Sequence, residues 1–269
     1  MNQPDSSRRP QRLRQAPKLR RVSVLSVEQI SPHSLCIHFS GEDLQDFASP
    51  SFDDHIKLML PATPESELVL PILGPNGVSF PEGAPRPLMR DYTPRRFDAQ
   101  RGVLSIEFAL HGDGPAASWA AQAQVGQQVA IGGPRGSTLI PVNYDWHLLV
   151  GDESALPAIS RRLEELPAST RAIVIAETSD PRDQRSLNSE ADLQVQWLLR
   201  DGTSQLPAAV SALQLPAGEG FAWAAGESAG IIAVREVLIN QLGLAKHQVK
   251  AAAYWKLGAA GHHENLAQD

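Results

Sequence analysis

The sequence predicts two domains in series, an N-terminal antiparallel β-barrel followed by a C-terminal α/β domain with a parallel sheet. Three observations predict it. Up to about residue 142 the chain runs through short apolar segments, several alternating with polar residues and punctuated by Gly and Pro, with one helical stretch among them. From Trp146 the rhythm becomes strand then helix, and the strand segments are unbroken apolar runs, the pattern of strands covered on both faces. At 269 residues the chain is long enough for two such domains, each with its own core.

In chain order, the first-half strands are "RRVSVLSVEQI", "SLCIHFSG", "DDHIKLMLP", "LMRDYTPRRF", "VLSIEFAL" and "QQVAIGG", and the helix is "GPAASWAAQAQ". Strand following strand without crossover helices calls for an antiparallel barrel or sandwich. In the second half, "WHLLVG" precedes the helix "ALPAISRRLEEL", and "RAIVIAE" precedes a polar loop. "LQVQWLLR" precedes "LPAAVSAL", "GFAWAAG" precedes "AGIIAVREVLINQL", and "VKAAAYWK" closes the set. The expected boundaries are a basic, solvated arm over residues 1–17, the barrel over 18–142, the α/β domain over 143–258 and a flexible tail over 259–269.

Composition narrows the chemistry. Hydrophobic residues make up 42% and charged residues 20%, and no apolar run approaches the roughly 20 residues of a membrane span. The basic N-terminus is followed by "VSVLSVEQISPHS", too polar for a secretory h-region, so a cytoplasmic location is expected. The single cysteine, Cys36, excludes an internal disulfide, an iron–sulfur cluster and a Cys-rich zinc site. Redox chemistry would therefore need an organic cofactor. Seven basic residues against Asp5 in the first 21 positions leave the rest of this chain, of net charge −6, strongly acidic. Such a body is not that of a nucleic-acid binder.

Five segments carry candidate site chemistry. In "RDYT", Arg90 is a cation for a flavin pyrophosphate, Tyr92 an aromatic ring for the isoalloxazine, and Thr93 a hydroxyl or amide for the flavin's nitrogen edge. On an extended strand Arg90 and Tyr92 share a face and Thr93 takes the other, unless Pro94 kinks the strand. In "HGDGPAASWA", from His111 to Ala120, Gly114 permits close approach, Pro115 suits a first helical turn, and Ala116, Ala117 and Ser118 offer helix-start N–H groups to an anion. The third segment, "GDESALPAI", follows the first parallel strand at its carboxyl end, where open α/β sheets bind ligands. There Ser154 is the expected N-cap, and the amides around Ser154 and Ala155 face a nicotinamide cofactor's phosphates. The carboxylates of Asp152 and Glu153 would repel those phosphates unless turned away. "AAGESAG" repeats the pattern with Gly226 and Glu227 beside the nicotinamide, and Arg182 and Arg185 in "ETSDPRDQRSL" are placed to meet a 2′-phosphate, opposed by Asp180 and Asp183.

The order and spacing of "RDYTPR", "HGDGPAASWA", "GPRG", "GDESALPA", "AAGES" and "YWKLG" resemble the siderophore-interacting protein family. These are FAD-dependent NAD(P)H ferric-siderophore reductases related to ferredoxin–NADP reductases, and the resemblance spans residues 18–258. Where the wider superfamily has a Gly-Thr-Gly-like loop, this chain has Gly151-Asp152-Glu153, a departure shared by the siderophore branch. The resemblance implies FAD as cofactor, NADPH or NADH as electron donor, and an anionic ferric siderophore, catecholate in type, as substrate. No protein acid, base, nucleophile or metal ligand is required. Lys57, Arg135 and Lys256 lie beside the family motifs and are the candidate contacts to the chelate, and Trp255 is placed to shield the flavin. His262 and His263 are adjacent residues in a tail and are not read as a metal site. Two other functions remain open at this level: a reductase serving a small protein carrier, and a flavin- or chelate-binding module without turnover.

Overall fold

A computed structural model describes residues 8–63, 66–74, 77–110, 114–259 and 264–266. His111, His262 and His263 lie outside the described residues. The chain divides into two compact units, one formed by residues 13–137 and the other by 1–12 together with 138–269.

The first unit carries β2 (Leu19–Ser31), β3 (Ser34–Ser40), β4 (Ile56–Leu60), β5 (Ile72–Gly74), β6 (Gly77–Ser79), β7 (Leu88–Tyr92), β8 (Pro94–Asp98), β9 (Val103–Ala109), α1 (Pro115–Ala120) and β10 (Gln128–Gly132). Seven of the strands form one sheet in the order β7-β4-β10-β2-β3-β9-β8, with every pairing antiparallel. The two edge strands, β7 and β8, are separated in sequence by Thr93 alone. One residue spans about 3.8 Å between neighbouring Cα atoms, so the sheet curls until its edges meet at Thr93. The inward residues, among them Val22, Ile37, Phe39, Leu58, Leu104, Phe108 and Ile131, form the core.

One short strand was not expected from its composition. β1 (Gln11–Arg14) falls where the charge pattern suggests a solvated arm, and it pairs with β11 (Gly136–Leu139). Its four side chains are all exposed, so main-chain bonding rather than burial holds it, and a Cβ on Gly136 would come within 2.9 Å of the Leu13 carbonyl oxygen.

The second unit contains β12 (Trp146–Gly151), α2 (Leu156–Glu165), β13 (Arg171–Thr178), β14 (Asp192–Leu199), α3 (Leu206–Ser211), β15 (Gly220–Glu227), α4 (Ser228–Glu236), β16 (Val249–Trp255) and β17 (Glu264–Asn265). The sheet order is β14-β13-β12-β15-β16-β17, parallel throughout except for β17. β17 lies in the segment expected to be a flexible tail. β12 is buried at all six positions and β15 at all but its last, which is why these segments lack alternation. The strand order reverses direction between β12 and β15, and in open α/β sheets ligands bind at that reversal, outside the carboxyl ends of the strands. Gly151 and Asp152 stand at one of those ends, Gly226 and Glu227 at the other.

Candidate functional site

Each unit carries its own cluster. In the barrel, Arg90 lies on edge strand β7, opposite Leu58 of β4, half-buried, with Nη1 donating to the Met89 carbonyl at 2.8 Å. Thr93, at the closure point, is buried. Tyr92 packs its ring 4.4 Å from that of Phe108, and burial pushes its phenol well above the ordinary tyrosine value. Phe108 in turn lies 6.0 Å from Trp119 of α1, and Trp119 stacks on Phe39 at 6.4 Å.

This aromatic chain, with α1 packed on β7 and β9, brings together the two segments singled out in the sequence. α1 begins at an exposed Gly114 N-cap with Pro115 at its first position. Ser118 donates to the Gly114 carbonyl at 2.9 Å, whereas the amides of Ala116 and Ala117 precede the first intrahelical bond and have no carbonyl four residues back inside the helix. A Cβ at Gly114 would meet nothing within 4 Å, so the helix start faces open space. A cation on β7 and the first amides of a helix form a donor set suited to a diphosphate.

Lys57 is not a free cation. Its Nζ lies 2.7 Å from Asp91 Oδ2, and the lysine side chain is 42% exposed. Asp91 is the cross-strand neighbour of Lys57 on β7, which makes the pairing a consequence of register. Arg135 and Lys256, in separate units, are exposed.

In the α/β unit the carboxylates that looked ill-suited to a phosphate site are turned inward. Asp152 is 1% exposed. Its Oδ1 accepts from Ser154 N at 3.0 Å and Ser154 Oγ at 2.5 Å, and its Oδ2 accepts from Glu227 N and Trp255 Nε1, both at 2.8 Å. Burial pushes the Asp152 carboxyl above its ordinary value, and Ser154, Arg200 and Trp255 act in the opposite direction. Glu153 accepts from Ser179 N, from Ser179 Oγ at 2.8 Å and from Arg200 Nη2 at 3.1 Å. Glu177, fully buried, accepts from Arg200 Nε at 2.9 Å and from Gln205 N. Arg200 is thus the shared cation of three carboxylates, with Asp152 Oδ2 at 3.8 Å. Burial works against its charge and the acidic neighbours more than offset it, so its pKa is raised.

Ser154 is not the N-cap of α2. That position is Ala155, with no side-chain cap bond, and the Ser154 hydroxyl donates instead to Asp152, two residues before it. Glu227 does cap a helix, accepting from Gly230 N of α4 at 3.1 Å. At Gly226 a Cβ would lie 2.6 Å from Asp152 Oδ2, and φ there is 151°, so glycine is required on both counts. Arg182 is held by Asp180 through contacts of 2.6–3.1 Å and has an exposed side chain, while Arg185 is half-buried on the same loop. Arg200, Glu177 and Ser179 were not singled out in the sequence. The available signal was a charged residue closing an otherwise apolar strand segment, at the strand ends where α/β sheets bind ligands.

The family model described as Siderophore-interacting FAD-binding domain matches residues 23–138, and that described as Siderophore-interacting protein matches residues 144–258. A protein named NADPH-dependent ferric-chelate reductase from Escherichia coli is 37% identical over 255 residues, covering 93% of this chain and 98% of that one. The ferric vibriobactin reductase of Vibrio cholerae is 36% identical over 235 residues, 85% and 86% of the two chains. Among solved structures, a siderophore utilization protein from T. fusca superposes with a TM-score of 0.87 at 32% identity, covering 96% of this chain and all of that one. A ferredoxin reductase in carbazole 1,9a-dioxygenase, at 16% identity and a TM-score of 0.63 over 87% of this chain and 68% of that one, shares the fold.

Proposed function

The chain belongs to the siderophore-interacting protein family, and from that premise we propose that it is an FAD-dependent enzyme taking electrons from NAD(P)H and passing them to a ferric siderophore. The observation that carries this reading is the pairing, within the barrel, of Arg90 on the closing strand with the open start of α1. Both suit the FAD diphosphate, and the buried Thr93 stands at the same turn of chain. Bound FAD supplies the conversion of a two-electron hydride donor into single electrons for iron. The α/β unit, with its strand reversal between β12 and β15, would hold the nicotinamide donor. Hard oxygen ligands hold Fe(III) more tightly than Fe(II), so reduction loosens the chelate. The cytoplasm, with its supply of NAD(P)H, is the proposed location.

The decisive experiment is an anaerobic visible-spectrum titration of the purified yellow protein. NADPH or NADH bleaches the flavin, and a ferric tris-catecholate then restores the colour. A binding module would stay oxidised after the donor, and a reductase serving a protein carrier would bleach but not recolour with the chelate. In the same preparation, Arg90→Ala is expected to weaken FAD retention about 10- to 150-fold, the loss of one charge-assisted bond of about 1.5–3 kcal/mol, and Thr93→Ala about 2- to 10-fold, the loss of a neutral bond of about 0.5–1.5 kcal/mol. Flavin content after dilution and desalting is the measurement, and full occupancy in both variants removes this strand from the site.

The proposed substrate is an anionic chelate of catecholate type, for which Arg135 and Lys256 supply exposed positive charge in an acidic body. Each exposed contact is worth about 0.2–1 kcal/mol, so Arg135→Ala and Lys256→Ala should raise the Michaelis constant for the chelate about 1.4- to 5-fold at low salt. Screening at physiological ionic strength should narrow that difference. Lys57→Ala should do less, because Asp91 already compensates its charge, whereas Asp91→Asn should lower the Michaelis constant. An unchanged value in the Arg135 and Lys256 variants places the chelate elsewhere.

A further inference from the structure

We propose that Asp152 and Arg200 are positioning residues that hold the Trp255 indole in a fixed orientation at the strand reversal, ready for the incoming nicotinamide donor; this rests on the reading of the α/β unit as the donor-binding half. The indole is gripped at two places. Its Nε1–H donates to Asp152 Oδ2 at 2.8 Å, which fixes the ring edge. The Arg200 guanidinium carbon lies 5.8 Å from the ring centroid, which fixes the face.

Neither grip is itself free to move. Asp152 is anchored by Ser154 at the end of β12 and by Glu227 N at the end of β15, so it spans the reversal. Arg200 is anchored by Glu153 at 3.1 Å and Glu177 at 2.9 Å. Gly226 leaves room for the Asp152 carboxylate, which a side chain there would displace.

Core packing alone does not account for this arrangement. A tryptophan held only as core needs apolar neighbours and one acceptor and can be wholly buried, as Trp223 on the adjacent strand is. Trp255 is half-buried, at the last position of β16, on the side of the sheet where ligands bind. A fully buried carboxylate is a costly acceptor for a half-exposed ring. That cost is consistent with an aromatic plane ordered before the ligand arrives, so that binding does not have to order it. The Asp152-Glu153 pair that departs from a phosphate-binding loop thereby acquires a role that requires both carboxylates to face inward.

The test uses full-length, FAD-loaded protein labelled with 15N-tryptophan. The Trp255 indole N–H signal is identified by its loss in Trp255→Phe. In Asp152→Ala it is expected to move toward the position of a solvent-exposed indole and to exchange faster with water, and in Asp152→Asn to move the same way by less. In anaerobic stopped-flow, Asp152→Ala should slow flavin bleaching at saturating NADPH on the order of tenfold, with little change in the donor's dissociation constant, since geometry and not affinity is lost. In a Trp255→Ala background the same substitution should add nothing. An indole signal unmoved in both Asp152 variants overturns the clamp. So does an equal slowing with and without Trp255, which would mean that Asp152 acts on the donor directly. If wild-type flavin is not bleached by NADPH or NADH, the donor-binding reading fails, and the indole signal still decides whether the clamp exists.

Discussion

Replacing Arg200 by methionine is expected to destabilise the α/β unit by about 3–5 kcal/mol at neutral pH, the cost of leaving buried charge uncompensated. Methionine is close to arginine in length, so lost packing is a minor part of the change. What remains is Glu177 with no exposure, Asp152 at 1% and Glu153 at 11%, with their shared cation gone. The control is Arg171→Ala, which removes an ion pair to Asp192 whose partners are 48% and 61% exposed. That pair should be worth no more than about 1 kcal/mol. Four of the five tryptophans lie in the α/β unit, so fluorescence-monitored urea unfolding reports mainly on it. The deficit of Arg200→Met should shrink as the pH is lowered, because Asp152, whose carboxyl burial pushes above its ordinary value, takes up a proton and no longer needs the cation. A deficit as small as that of Arg171→Ala, or one that grows with acid, would mean that the cluster is not held by Arg200.

The strands were legible wherever burial wrote a period or an unbroken apolar run, as in "WHLLVG" for β12 and "SLCIHFSG" for β3. Closure of the barrel was not. "LMRDYTPRRF" reads as a single extended segment, yet it supplies both edges of the sheet, because alternation records which face a residue takes and not which strand it pairs with. β1 was hidden for a related reason: main-chain pairing to β11 leaves no apolar mark when all four side chains stay exposed. In the site, the residues of "RDYT" and the start of α1 were identifiable because each motif is local. The Arg200 cluster is assembled instead from parallel register, with Glu177 opposite Leu198 and Thr178 opposite Leu199, which puts Glu177 beside a residue 23 positions later. The inward turn of Asp152 depends on Gly226, contributed by a strand end 74 residues on. The Lys57–Asp91 pair likewise needs the β4–β7 register before it can be seen.

Acidification should expose a liability at the opposite end of the same sheet. His147, the second residue of β12, is 1% exposed, with its ring set edge-on to Tyr144 at 5.6 Å. Its Nε2 has no hydrogen-bond partner among the described residues. Burial, reinforced by the nearby Arg162 guanidinium and opposed only by a bond to the Val142 backbone, pushes its pKa down to about 3. Arg162 is itself 2% exposed and tied to the Pro141 carbonyl at 2.6 Å, so a protonated His147 would add a second buried cation with nowhere to turn. The unfolded chain protonates this histidine near 6.5. Between pH 6.5 and 3 the unfolded state therefore binds more protons than the folded one, and stability falls as the pH falls. At pH 4.5, two units below the ordinary value, the loss amounts to about 2–3 kcal/mol. Asp54 and Asp152, both raised by burial, act with the opposite sign, because as the pH falls they take up protons in the folded state before the unfolded chain does. The net slope of the wild-type protein thus mixes the two, and His147→Gln separates them because it leaves both aspartates untouched. Urea unfolding of wild type and His147→Gln at pH 7 and pH 4.5 is the measurement. The wild-type protein should lose about 2–3 kcal/mol more than the variant between the two pH values, whatever the variant's stability at pH 7. Equal losses in the two proteins would show that His147 is protonated in the fold without penalty, and the acid sensitivity of this unit would then have to be sought among its carboxylates.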